Sequence, residues 1–243
     1  PAPESVRRFI SPDKLWPPEN NPEWTLHCTA PVPGFPDYTY RVELMSKQVR
    51  ELFGTVPNNL DDFAFASQAS QAEAVKFFIE LFRGGKWRRT GILWWNLMDG
   101  WPQFSDAVVD YYFCRKLAFE FIKTAQQPLG LMLREPLNWA QELVASNDTR
   151  DDLAVGYAVR DLDSGEVVAQ GQAVAAADRV TMLGRVPFSM GRQRFYVLEW
   201  QSVLGAARSH YLAGYPPFDL ERYRSWLCRA GLMPSAAAGR VER

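Results

Sequence analysis

The stretch T-G-I-L-W-W-N-L-M-D-G-W-P, Thr90 to Pro102, decides how the rest of the chain is read. Thr90 to Leu97 is a continuous apolar run that follows a basic turn, Lys86-Trp87-Arg88-Arg89. It is too short for a helix and shows no polar alternation, which is the pattern of a strand buried on both faces of a parallel sheet. A helix is expected before it, from about Leu60 to Phe82, started by Asn59 and ended by Gly84-Gly85. Its apolar stripe is read as Phe63, Ala66, Ala74, Phe77, Phe78 and Leu81. Another helix, about Tyr112 to Thr124, follows the loop that carries Trp101-Pro102. Helix, buried strand, loop and helix in that order make a βα repeat.

Upstream, the chain is dense in proline (Pro12, Pro17, Pro18, Pro22, Pro31, Pro33, Pro36 and Pro57), so its backbone is expected to be irregular. Short helices are placed at Glu4–Ile10 and Pro12–Leu15. A better one runs from about Tyr38 to Phe53, with Asp37 as cap and Gly54 as stop. Downstream, the grammar changes near Gln127-Pro128. Leu153-Val155-Tyr157-Val159 and Tyr196-Leu198-Trp200 alternate with a period of two, between turns such as Asn147-Asp148, Asp163-Ser164-Gly165 and Met190-Gly191. Six or seven short strands spaced this way predict an antiparallel sandwich. A helix capped by Asp219 is expected within Pro216–Leu227, followed by a small, polar, frayed tail, Ala236–Arg243. The domains are therefore drawn at 1–127, 128–214 and 215–243, in a fold class of α/β plus all-β.

Composition narrows the function classes. With 47% hydrophobic and 23% charged residues the chain is of the folded, globular type. A formal net charge of −1 points to neither nucleic acid nor an anionic membrane surface as partner. No run approaches the roughly 20 apolar residues of a membrane span, and no signal peptide is read in these residues. Cys28, Cys114 and Cys228 form no CxxC pair and are read as free or buried thiols; His27 beside Cys28 offers one ligand position, not a metal site. With His27 and His210 alone, in different segments, a Ser/His/Asp triad is not expected, and no Gly-rich phosphate loop is present. No cofactor and no metal are predicted.

The chemistry is expected at the end of the predicted strand, in Trp94-Trp95-Asn96-Leu97-Met98-Asp99-Gly100-Trp101. In a (β/α)8 barrel, active sites are built at that rim. A Trp there makes a flat apolar wall for a sugar's C–H face, while Asn and Asp bond hydroxyls. The alternative is an aromatic barrel core with Asp99 capping its loop.

TGILWWNLMDGWP resembles the eighth barrel strand of glycoside hydrolase family 2, in the pattern G-x-L-x-W-[QN]-L-x-D-x-W-P of its β-mannosidase-like members. The resemblance continues through PESVRRFI and LWPPENNPEW, through ASQASQAEAVKFFIE as the helix before that strand, through VVDYYFCRKLAFEFIK as the closing helix, and through Ser209-His210-Tyr211-Leu212 in the trailing domain. It implies the C-terminal part of a (β/α)8 TIM barrel followed by an immunoglobulin-like β-sandwich. It also implies a retaining exo-β-glycosidase that releases terminal β-linked sugars, with a carbohydrate substrate and the rest of the parent chain as partners. Such enzymes use two glutamates, with carboxyl groups roughly 5–5.5 Å apart. Neither the S-E-[FY]-G motif of the nucleophile nor the N-E pair of the acid/base occurs here, so the resemblance places both upstream of Pro1 and makes the isolated fragment inactive. Glu4, Glu73 and Glu80 are read as solvated helix faces. By the same resemblance Trp95 floors the subsite of the cleaved sugar, Asn96 lies beside it, and Asp99 and Trp101 complete the motif. Met98, where many members carry Asn, and Phe113-Cys114, where Gly-Arg is usual, depart from the pattern. Two other readings remain: a non-catalytic carbohydrate-binding or scaffold module, and the product of a split gene. Thr90–Leu97 is expected to have an unpaired edge, with Trp95 exposed and Trp94 on the opposite face.

Overall fold

The computed structural model describes residues 1–28 and 40–233. Up to residue 127 the described chain is helical: α1 (Pro3–Val6), α2 (Pro22–Leu26), α3 (Arg41–Phe53), α4 (Leu60–Arg83) and α5 (Leu117–Ala125), with a 3-10 turn at Pro12–Lys14. The expected helix Glu4–Ile10 is thus cut to its first turn. The proline-rich segment gains an unforeseen helix, α2, because Asn21 organises it. The Asn21 amide donates to the carbonyls of Lys14 and Pro17 (2.7 and 3.0 Å), and its oxygen accepts the Glu23 and Trp24 N–H groups. Gly54, at φ +81°, stops α3 as expected. Asp37 and Tyr38, placed at that helix's start, lie outside the described residues, as does the tail Ala236–Arg243.

Helix α4 begins where its cap requires, with the Asn59 side-chain oxygen accepting the Asp62 N–H at 2.9 Å. Its buried side is Phe63, Ala66, Ala69, Ala72, Lys76 and Ile79. This corrects the expected stripe: Phe63 and Ala66 belong to it, but Ala74 is exposed and Phe77 and Phe78 are 39% and 50% exposed. The choice of face is made by α5, which packs along α4 and joins the same core with Leu117, Ala118, Phe121, Ile122 and Ala125. Small alanines on one side of α4 let a second helix approach closely. The closing helix starts five residues later than read. Asp110 Oδ1 accepts the N–H groups of Tyr112 and Cys114 (2.9 and 3.0 Å) and Phe113 adopts φ +65°, so Tyr112–Lys116 turns before it coils.

The predicted strand Thr90–Leu97 is corrected too: among the described residues before 128 there is no β-strand, so no βα repeat is closed. The segment runs without secondary structure and alternates in exposure. Ile92 and Trp94 pack against the core, while Leu93 and Leu97 are exposed and Trp95 is 78% exposed. Burial on both faces needs neighbours on both sides, and among the described residues they stand on one side only.

From Leu129 the chain is antiparallel. Strands β1 (Leu129–Leu133), β2 (Ala140–Asn147) and β5 (Arg179–Pro187) form one sheet. The other, in the order β4-β3-β6-β7, contains β3 (Leu153–Asp161), β4 (Val167–Ala175), β6 (Arg194–Ser202) and β7 (Gly205–Ala213). Leu153, Val155, Val159, Tyr196, Leu198 and Trp200 fill the space between the sheets, as their alternation predicts. Strand β6 is apolar on its other face as well: Phe195 and Val197 join the helical core. A last helix, α6 (Leu220–Arg229), is capped by Asp219, which accepts the Arg222 N–H at 2.7 Å, and returns Tyr223, Trp226 and Leu227 to that core. Arg224 bonds Asp62 of α4 and Trp226 Nε1 bonds Asp163 in the β3–β4 turn, so α6 ties the sandwich to the helices.

Candidate functional site

Three short pieces of backbone lie side by side around the WWN segment. The carbonyls of Asn96 and Leu97 accept the N–H groups of Val108 and Val109 (3.1 and 2.9 Å), and Asp99 N–H donates to the Val109 carbonyl at 3.1 Å. Met98 and Val109 form a parallel bridge, and Val109 and Arg115 an antiparallel one. Lys116 N–H donates to the Val108 carbonyl at 2.8 Å. The Trp95–Asn96 peptide bond is cis.

These pieces set the four residues singled out by sequence at different depths. Trp95 stands in the open. Asn96 is half-buried, and its side-chain oxygen is enclosed without a hydrogen-bond partner. Trp101 is half-buried and stacks on His27, with ring centroids 5.5 Å apart; His27 Nδ1 donates to the Pro102 carbonyl at 2.7 Å, which fixes the ring. Asp99 does not share the open face: it is 1% exposed, its carboxylate accepts the Ser105 hydroxyl, and Lys116 Nζ lies 3.7 Å away. Asp99 is thus held by a counter-charge and a donor, as a carboxylate taken out of water requires, while its Oδ2 makes no hydrogen bond among the described residues. Lys116, which sequence reasoning passed over, donates to the Ser105 carbonyl at 3.0 Å. Burial pushes its ammonium below the usual lysine range against the pull of Asp99, Asp110 and Asp106. The available signal was a lysine set directly before the apolar run Leu117-Ala118-Phe119.

No family model matches the chain. Over 198 residues, 70% of this chain, it is 28% identical to β-mannosidase B of Thermothelomyces thermophilus. The fold superposes on a β-D-mannosidase from Dictyoglomus thermophilum over 90% of this chain, with a TM-score of 0.74 and 22% identity. The chain matches the C-terminal part of β-mannosidase-like enzymes of glycoside hydrolase family 2. An exo-chitosanase from Amycolatopsis orientalis has the same fold over 87% of the chain, with a TM-score of 0.64 and 18% identity. The aligned part is 22% of the first relative and 26% of each solved chain, so this chain spans about a quarter of the length of the proteins it matches.

The other acids singled out by sequence are engaged or exposed. Glu4 is exposed, as expected. Glu73 and Glu80 are not solvated, and that expectation is corrected. Glu73 Oε1 accepts from His210 Nε2 at 2.8 Å and from the Tyr223 hydroxyl at 2.6 Å, while Glu80 pairs with buried Lys76 at 2.8 Å. Both face the sandwich, which the sequence could not place over α4. A cavity of about 1160 Å³ opens beside them, lined by Glu73, Lys76, Phe77, Phe78, Arg134 and Tyr211 among others. Within its lining Glu80 pairs with Lys76, and Glu135 accepts the Tyr211 hydroxyl at 3.2 Å. Among the described residues no group of three or more His, Cys, Asp or Glu side chains is arranged to hold a metal ion, and no helix is long and apolar enough to cross a membrane.

Proposed function

We propose that these residues are the closing part of a (β/α)8 glycosidase barrel (1–127), a trailing immunoglobulin-like sandwich (128–214) and a C-terminal helix with its tail (215–243). In this reading the protein is a retaining exo-β-glycosidase, β-mannosidase-like in substrate class, which removes terminal β-linked sugars. Trp95 floors the subsite of the departing sugar, with Asn96 and Trp101 beside it and Asp99 supporting the loop from beneath. The nucleophile and the acid/base come from residues outside the 243, since a retaining mechanism needs both carboxylates.

The observation that carries this reading is Trp95, an indole 78% exposed at the end of an extended segment that, among the described residues, no strand pairs with on its open side. Trp95 shares this open side with Leu93 and Leu97, and in the proposed barrel it is the side that residues outside the 243 complete. The test is Trp95→Ala in the longer protein. Stacking that strengthens as the sugar ring flattens towards the transition state should be lost, and kcat/KM should fall by about tenfold or more. An unchanged kcat/KM rules out the subsite. A non-catalytic carbohydrate-binding or scaffold module is the second reading. It predicts sugar binding with no turnover in the longer protein.

A further inference from the structure

Lys116 is 2% exposed, and its ion pair with Asp99 has side-chain exposures of 2% and 0%. Pairs of this kind stabilise little, because desolvating two charges offsets their attraction, and an apolar pair of similar volume serves stability as well. What the pair does is geometric. Lys116 Nζ bonds the Ser105 carbonyl, the Ser105 hydroxyl bonds Asp99, and Ser105 Oγ accepts the Ala107 N–H at 3.0 Å. The backbone of Lys116 meanwhile holds Val108, and Val108 holds Asn96. Residues 99, 105, 107 and 116 thus close a circuit under the loop that carries Trp101 and at the end of the segment that carries Trp95 and Asn96. Within these residues Trp95 is 78% exposed, and the backbone that carries it is what this circuit holds.

We propose that Lys116 is a positioning residue for the Trp95–Asn96 face: paired with Asp99 beneath the loop, it locks the three backbone pieces in the arrangement that presents the indole. The inference rests on the carbohydrate reading of Trp95 given above. Lys116 touches no ligand in it and acts through Asp99 and Ser105.

The test removes both charges together, as Lys116→Met with Asp99→Asn in the longer protein, so that neither is left buried alone. The readouts are thermal melting, the indole N–H resonance of Trp95 (identified by its loss in Trp95→Phe), and the shift of that resonance on titration with methyl β-D-mannoside. The expected result is a melting temperature close to that of the unsubstituted chain, a Trp95 resonance that broadens or splits, and a sugar-induced shift reduced by about threefold or more. A normally melting double variant with an unchanged Trp95 resonance and unchanged sugar response overturns the proposal. If the double variant melts early, Ser105→Ala decides, since it opens the same circuit at a half-buried hydroxyl and leaves both charges in place; an unaltered Trp95 resonance there also overturns it. A Trp95 resonance that ignores the sugar in the unsubstituted longer protein sinks the carbohydrate reading instead, and the line shape still judges Lys116.

Discussion

Trp94 and Trp95 are neighbours in sequence and point to opposite sides of one extended backbone. Trp94 packs against the main core, in a cluster with Ile92, while Trp95 is 78% exposed. The peptide unit between them separates a residue that supports the fold from one that the fold displays.

Trp94→Ala should therefore lower stability by about 2 kcal/mol, less than the 3–5 kcal/mol of a fully buried aromatic because Trp94 is only partly enclosed. Trp95→Ala should stay within about 0.5 kcal/mol, as expected for an exposed site. Urea melts of both variants check this. Equal losses in the two would mean that the faces are not distinguished in solution.

Glu73 joins α4 to β7 and α6 through His210 and Tyr223. Burial works to raise its pKa, but His210 first, then Lys76 and Tyr223, outweigh it, and the carboxyl is held below the usual glutamate range. A depressed carboxylate contributes stability that is present above the unfolded value, about 4.3, and is lost as pH falls through the folded one. Glu73→Gln should cost about 1–3 kcal/mol at pH 7, and the gap to the unsubstituted chain should narrow below about pH 4. A gap that widens on acidification would reverse the assigned sign.

Asn59 caps a helix of 24 residues. Asn59→Ala should cost about 1 kcal/mol and Asn59→Gly only a few tenths, because glycine frees the backbone N–H for water. Chemical denaturation of the two variants measures the difference. Identical losses would show that the cap bond contributes nothing.

The 243 residues on their own should hydrolyse no nitrophenyl β-mannoside above the uncatalysed rate, since neither nucleophile nor acid is supplied by them in the proposed reading. The assay is a long incubation with Glu73→Gln and Asp99→Asn as controls. Turnover that survives both substitutions would leave the proposed division of labour without a mechanism.

Local chemistry in the sequence was enough to determine several features. The caps at Asn59 and Asp219, the stop at Gly54 and the inward sets of β3 and β6 all follow from a side chain and backbone within a few residues of each other, or from a period of two that one buried face enforces. The same alternation puts Trp94 and Trp95 on opposite faces. Tertiary structure decided which face met what. Phe77 and Phe78 were as eligible for the core as Ala69 and Ala72, until α5 settled on the alanine side. Thr90–Leu97 reads as a doubly buried strand, yet Leu93, Trp95 and Leu97 face solvent, because burial depends on neighbours remote in sequence and a local pattern cannot supply them. Asp99, Lys116, Glu73 and His210 carry no local signature of being paired. Their partners lie 17 and 137 positions apart in the chain, and only the fold, by removing water from around them, made those pairings necessary.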